Sequence, residues 1–161
     1  MKVIDNFLSS YQFKIVESTM MSPDFPWYFT DGINTIPEPQ RYQFNHVFSH
    51  EGRNESAEFL PIFEPCIRQL GITNLRRIKA NLNPRTFFHR SSGFHYDYKD
   101  IMTAVYYINT NNGWTEFKKG GKVKSVANRI VIFDSNSMHQ GVTCTDEKRR
   151  VVVNFNYVPA L

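Results

Sequence analysis

Beyond Leu75 the chain alternates short apolar runs with polar, turn-forming interruptions: "LRRIKANL", "GFHYDY", "MTAVYYIN", "WTEF", "GKVKSV", "RIVIF", "HQGVT" and "RRVVVNFNYV". Runs of this length, rich in Val, Ile, Tyr, Phe and Thr and bounded by Gly, Asn, Asp or Ser, predict strands. About eight of them in so short a span is the density of a sandwich or a small barrel. The first part of the chain follows a different period. In "IDNFLSSYQFKIVESTMM", Ser9 or Ser10 can cap a helix whose Phe13, Val16 and Met20 share one face. A second helix is predicted from about Ser56 to Leu70, with Phe59, Phe63, Ile67 and Leu70 on one side and a kink at Pro65. Between the two, "SPDFPWYFTDGINTIPEPQ" carries four prolines and reads as loop with short extended pieces.

Helices first and strands afterwards imply a mainly β (α+β) protein, a double-stranded β-helix or jelly roll with N-terminal supporting helices. The expected organisation is one domain over 1–161, with a helical part at about 1–74 and a jelly-roll core at about 75–158. The composition agrees: 161 residues, 41% hydrophobic and 15% aromatic, supply a real core for one domain. No apolar run approaches the length of a membrane span, and "MKVIDNFLSS" lacks a signal-peptide pattern, so a soluble cytoplasmic protein without a membrane partner is expected. Cys66 and Cys144 are too few for a disulfide framework and read as free thiols. A net charge of +4 is concentrated in "KKGGKVK". This fits a solvated hairpin whose lysines protect a sheet edge better than a nucleic-acid surface.

Candidate chemistry begins at "GFHYDYKD". On a strand, residues i and i+2 point the same way, so His95 and Asp97 can reach one ion. A third ligand must come from elsewhere. His46 and His50 are spaced i, i+4 without an intervening carboxylate and read as surface-loop residues; His89 reads as substrate-loop or surface. His139 follows the strand "RIVIF" and a polar turn, and precedes another strand. Two imidazoles and a carboxylate on one side of an ion leave the other side open, which suits ferrous iron in oxygenases. The same set also suits a hydrolytic zinc centre.

From about Arg77 to Val158, roughly half the chain, the sequence resembles the iron(II)- and 2-oxoglutarate-dependent oxygenases, within them the prolyl-4-hydroxylase-like branch. The resemblance rests on "FHYDY", "TAVYYINTNNGWTEF", "NRIVIFDSNSMHQG" and "RRVVVNFNY" in that order. It is strongest to small, stand-alone, phage-type members, which would place a phage-encoded protein in the host cytoplasm. It implies Fe(II) held by His95, Asp97 and His139, with 2-oxoglutarate and O2 as cosubstrates and ascorbate as a stimulant. It also implies an arginine on the far carboxylate of 2-oxoglutarate, a geometry that the guanidinium fork suits. Arg150 is preferred to Arg149, because with Arg150 inward Val152, Asn154 and Asn156 also face in, while Val151, Val153, Phe155 and Tyr157 face the helices. Where relatives often carry a polar residue two positions after the arginine, this chain has Val152.

Tyr106 matches the tyrosine that in relatives bonds the same carboxylate, and a core role fits it equally. Asn81 and Asn83 share parity and are candidates for the other wall of the cosubstrate site. Tyr96 and Tyr98 are expected to face outward, and Asn128 and Arg129 to form a turn. The implied activity is hydroxylation of a peptidyl or free amino-acid side chain, proline by resemblance. The alternatives are nucleobase oxidation or demethylation, which needs a base-reading lid, and a non-catalytic jelly-roll binding module. "SPDFPWYFTDGIN" and "NPRTFFHRSSG", with Trp27, Phe87 and Phe88, are candidate substrate walls.

Overall fold

A computed structural model describes residues 1–31 and 42–160. The latter part of the proline-rich stretch, from position 32, lies outside the described residues. The strands are β1 (Lys2–Ile4), β2 (Tyr28–Asp31), β3 (Tyr42–His50), β4 (Arg53–Asn54), β5 (Ile72–Pro84), β6 (Met102–Tyr107), β7 (Trp114–Phe117), β8 (Gly121–Lys124), β9 (Arg129–Asp134), β10 (His139–Val142) and β11 (Arg149–Pro159). Seven of them form the antiparallel path β1-β9-β6-β11-β5-β3-β2, with β4 paired to β3; β10-β7-β8 form a smaller sheet. The architecture is an antiparallel β-sandwich of jelly-roll type, mostly β.

The helix α1 (Ser10–Met20) begins as its sequence suggests. Ser9 accepts from the Gln12 amide and the Gln12 side chain reaches back to the Ser9 amide, so two otherwise orphaned donors are met. Val16 and Met20 are buried. The second helix is shorter than predicted. A 3-10 turn (Leu60–Phe63) is followed by α2 (Glu64–Gln69), each with a proline at its first positions. Proline lacks an N–H and suits a helix start, so Pro61 and Pro65 start two short elements instead of kinking one long helix.

The larger sheet has two unlike faces. Its outer face meets the helices through Phe48, Ile78, Tyr106, Val151, Val153 and Phe155, together with Phe7, Val16, Met20 and Phe63. Its inner face meets the smaller sheet through Val105, Tyr107, Val131, Phe133 and Val152, against Phe117 and Val123. The strict alternation along β11 assigns its residues to the two faces as the parity argument expects. No described helix is long and apolar enough to cross a membrane.

Three local expectations need correction. "GFHYDY" is not a strand: only isolated bridges, Ser91 to Val142 and His95 to His139, attach this segment to β10. β3 appears where a loop was expected, and it is a strand because Phe44, His46 and Phe48 alternate toward the core. His46 is therefore buried, not on a surface loop. Its ring nitrogens engage the Pro26 carbonyl (2.8 Å) and the Ser56 hydroxyl (2.7 Å). His50 ends the same strand.

Candidate metal centre

Two-way backbone bonding aligns the two histidines. The His95 amide donates to the His139 carbonyl (3.0 Å) and the His139 amide to the His95 carbonyl (3.1 Å). Across such a pair side chains are neighbours, and the imidazole centroids lie 4.7 Å apart. Asp97, two residues on, brings its Oδ1 to 3.6 Å from His95 Nε2. One ligand atom from each of His95, Asp97 and His139 falls within 4.8 Å of the others. The irregular segment thus achieves what a regular strand was expected to do.

Both rings are oriented from behind. His95 Nδ1 lies 2.9 Å from the Gly93 carbonyl and His139 Nδ1 lies 3.1 Å from the Ser137 carbonyl. A carbonyl only accepts, so each Nδ1 carries a proton and each Nε2 is turned toward the cluster, where its lone pair is open to a metal whenever the ring is neutral. Asp97 is held on both oxygens. Arg77 Nη2 donates to Oδ1 at 3.2 Å, and the amides of Asn154 and Asn156 donate to Oδ2 at 3.3 Å each. Burial opposes ionisation of Asp97, but the His95 hydrogen bond and the charges of Arg77, His139 and His95 outweigh it, and its pKa falls well below the carboxylate range. Burial also opposes charge on His95, yet its bonds to Asp97 and the Gly93 carbonyl raise its pKa. For His139 burial wins, and its pKa falls.

The three side chains line a cavity of about 130 Å³ that Arg150 also lines. Arg150 is 2% exposed. Its Nε donates to Ser125 Oγ (3.0 Å) and its Nη2 to Thr115 Oγ1 (3.2 Å), while no described carboxylate pairs with it. Gly113 makes room for it: a Cβ there would stand 2.8 Å from Arg150 Cδ and 2.7 Å from the Val142 carbonyl. Arg149 points the other way and donates to the Met21 carbonyl at 2.6 Å. Asn81 and Asn83 line the same cavity, and the side-chain oxygens of Asn81 and Asn154 are buried without a donor among the described residues.

Tyr106 does not join them, which corrects its assignment to the cosubstrate. Its ring packs on Phe7 and Phe13 on the helix side, and its hydroxyl donates to Asn128 Oδ1 at 2.7 Å. The next residue has the inward parity: the Tyr107 hydroxyl donates to Thr115 Oγ1 at 2.8 Å, and the Arg150 guanidinium lies 5.8 Å from its ring. Asn128 does sit in a turn, with φ 61°, and its amide also clasps both backbone groups of Leu8. Sequence reasoning missed Thr115, Ser125, Tyr107 and Arg77. Extending the Asn81 and Asn83 parity back along β5 reaches Lys79 and Arg77, so that signal was present; the serine and threonine offered none.

The remaining candidates are peripheral. His89 is exposed and bonds the Thr143 carbonyl (2.7 Å), with its ring 4.6 Å from that of Trp114. Trp27 packs on Phe25 at 5.0 Å in the core, away from the cavity. Phe87 and Phe88 are exposed, and Phe87 lines a groove that adjoins the cavity at Asn83, Ser92 and Gly141. Tyr96 is exposed, and Tyr98 lies against Arg77. The lysine-rich hairpin forms the β8 edge of the smaller sheet. Cys66 and Cys144 are buried free thiols.

No protein-family model and no curated protein matches the sequence. Solved structures do match its fold. An oxidoreductase of the 2OG-Fe(II) oxygenase family from Burkholderia pseudomallei aligns over 97% of this chain and 84% of its own, with a TM-score of 0.72 and 8% identity. A prolyl-4-hydroxylase from Pseudomonas putida aligns over 99% and 92%, with a TM-score of 0.61 and 16% identity. A prolyl hydroxylase from Trichoplax adhaerens, in complex with a hypoxia inducible factor oxygen degradation domain peptide fragment, aligns over 97% and 82%, with a TM-score of 0.57 and 15% identity. The chain therefore has the fold of the 2OG-Fe(II) oxygenases and prolyl hydroxylases.

Proposed function

We propose that this protein is an Fe(II)- and 2-oxoglutarate-dependent dioxygenase that hydroxylates an amino-acid side chain, with a prolyl or other peptidyl substrate favoured by its likeness in fold to prolyl hydroxylases. The observation that carries this reading is Arg150: a buried guanidinium with no counter-ion among the described residues, in the same cavity as a His-Asp-His cluster. A buried charge without a partner is costly, so the site is built for an anion that arrives with the metal. That favours a metal that works with a carboxylate cosubstrate over a zinc centre that only activates water.

The donor set fits iron(II), with two Nε2 lone pairs and one ionised carboxylate available. When bound, the metal with 2-oxoglutarate and O2 would supply oxidative decarboxylation to succinate and carbon dioxide, coupled to substrate hydroxylation. The chain's own residues have simpler tasks. Arg150, with Thr115 beside it, binds the distal carboxylate of 2-oxoglutarate through its fork. Asn81 and Asn83 line the wall along that molecule. Arg77, Asn154 and Asn156 fix the rotamer of Asp97, and the Gly93 and Ser137 carbonyls fix the imidazoles. Val152, Val105 and Phe133 keep water from the inner wall. Helices and both sheets contribute to one body, and we infer that the chain works as one domain.

A base-modifying role has less support, since none of the hairpin lysines lines the cavity. A non-catalytic module would leave the Arg150 charge without a purpose. The test is succinate formation from 2-oxoglutarate in air with ferrous iron and ascorbate. The wild type should form it, and Arg150→Met should require far more 2-oxoglutarate. A folded wild type that forms no succinate sinks the proposal.

A further inference from the structure

We infer that the cavity holds a second anion position, at Lys79, which binds a carboxylate carried by the substrate. This rests on the reading above and extends it to substrate chemistry. Lys79 projects from the inner face of β5, midway between Arg77 and Asn81, and lines the cavity. It also lines a surface depression with Val47, His50, Glu55 and Arg77, so its side chain borders both the site and the outside. Of the three strong cations on the cavity wall, Arg77 is paired with Asp97, and Arg150 stands on Thr115 and Ser125. Lys79 has no hydrogen bond or ion pair among the described residues, and Glu55 in the depression pairs with Arg53 at 3.4 Å. Burial and the charge of Arg77 disfavour its positive charge, and the one charge that favours it, Asp97, is already paired.

Position separates Lys79 from the cosubstrate. Arg150 is paired in register with Asn83, four residues from Lys79 along β5, a distance of about 13 Å. A five-carbon dicarboxylate held at Arg150 spans less than that. Lys79 is instead the register partner of Asn154 on β11 and Val47 on β3, on the same strand as Arg77 and one strand toward β3 from Asn154 and Asn156. Asn154 adds a second requirement. Its Nδ2 donates to Asp97, which fixes the amide orientation and leaves its buried Oδ1 without a donor among the described residues. Buried acceptors are rarely left unmet. A ligand that presents a carboxylate to Lys79 and an N–H or O–H to Asn154 meets both needs.

Such a carboxylate could be the α-carboxylate of a free amino acid or the side chain of an acidic residue next to the modified one. The probes are therefore two matched pairs: L-proline against L-prolinamide, and acetyl-Asp-Pro-Gly-amide against acetyl-Asn-Pro-Gly-amide. Each is added to enzyme with ferrous iron, 2-oxoglutarate and air, and succinate above the probe-free background is measured in wild type, Lys79→Met and Lys79→Arg. At least one acid should half-saturate about tenfold lower than its amide in wild type, and the responding pair names the source. Lys79→Met should erase that preference and Lys79→Arg should restore most of it, with half-saturation by 2-oxoglutarate unchanged in both.

The inference is overturned if acids and amides act alike, if no probe raises succinate, or if the preference survives Lys79→Met. It is also overturned if Lys79→Met weakens 2-oxoglutarate itself, which would place the lysine in the cosubstrate site. A wild type that makes no succinate under any condition contradicts the proposed activity instead, so the two failures are distinguishable.

Discussion

The two faces of β11 are made from alternate residues of one strand, yet they are built for opposite purposes. The outer face, Val151, Val153, Phe155 and Tyr157, is buried and uncharged, and it ties the sheet to the helices. The inner face, Arg150, Val152, Asn154 and Asn156, contains one buried charge and two amides, one with an oxygen that has no donor. Hydrocarbon on the outside stabilises the fold by leaving water. Polar groups on the inside have left water too, without recovering all that they lost. From Arg150 to Asn156 such groups stand on one side alone, which marks that side as the site and the other as its scaffold.

Substitutions should separate the two faces cleanly. The largest effect on stability should come from Phe155→Ala, which opens a cavity under the helices and should cost about 3–5 kcal/mol in urea unfolding. Arg150→Met should do the reverse. Its stability in the metal-free protein should remain within about 1 kcal/mol of wild type or rise, since a buried unpaired charge is replaced by hydrocarbon, while affinity for 2-oxoglutarate should drop about a hundredfold. Gly113→Ala should be intermediate: a Cβ at 2.8 Å from Arg150 Cδ must displace the guanidinium, and about tenfold weaker 2-oxoglutarate binding is expected from titration.

Ser9→Ala removes one cap on the scaffold side and should cost about 1 kcal/mol without altering cosubstrate affinity. The smallest response should be that of Cys66, in the outer core. Burial pushes its thiol pKa far up, so it stays protonated at alkaline pH. Raising the pH from 7 to 9 should leave its reaction with a thiol reagent in the native protein negligible, while the unfolded chain reacts faster as the thiolate forms.

The same alternation decided what could be read from the sequence. Strong period-2 runs, such as "RRVVVNFNYV", disclosed both the strand and which arginine turns inward. "RYQFNHVFSH" carries the same period, but its polar members mask it, so β3 and the burial of His46 are visible only in the structure. Tyr106 fits the cosubstrate and the core equally in sequence because two consecutive tyrosines satisfy either parity, and the contacts of Tyr106 to Asn128 and of Tyr107 to Thr115 decide for the core. "GFHYDY" shows a different limit. Its ligands were legible by type and spacing, but what aligns them is a pair of long-range backbone bonds to His139, and no local pattern encodes those. Thr115 and Ser125 were invisible for a related reason, since small hydroxyl residues become significant only through what they touch.

The most direct test of the convergence of His95, Asp97, His139 and Arg150 on one cavity is an anaerobic titration of the protein with iron(II) and then 2-oxoglutarate, followed by visible absorbance. The wild type should develop the weak charge-transfer band of the metal-bound keto acid, His139→Ala should fail to develop it, and Arg150→Met should develop it only at much higher 2-oxoglutarate. A band of unchanged intensity and midpoint in both variants, or none in the folded wild type, would contradict the account.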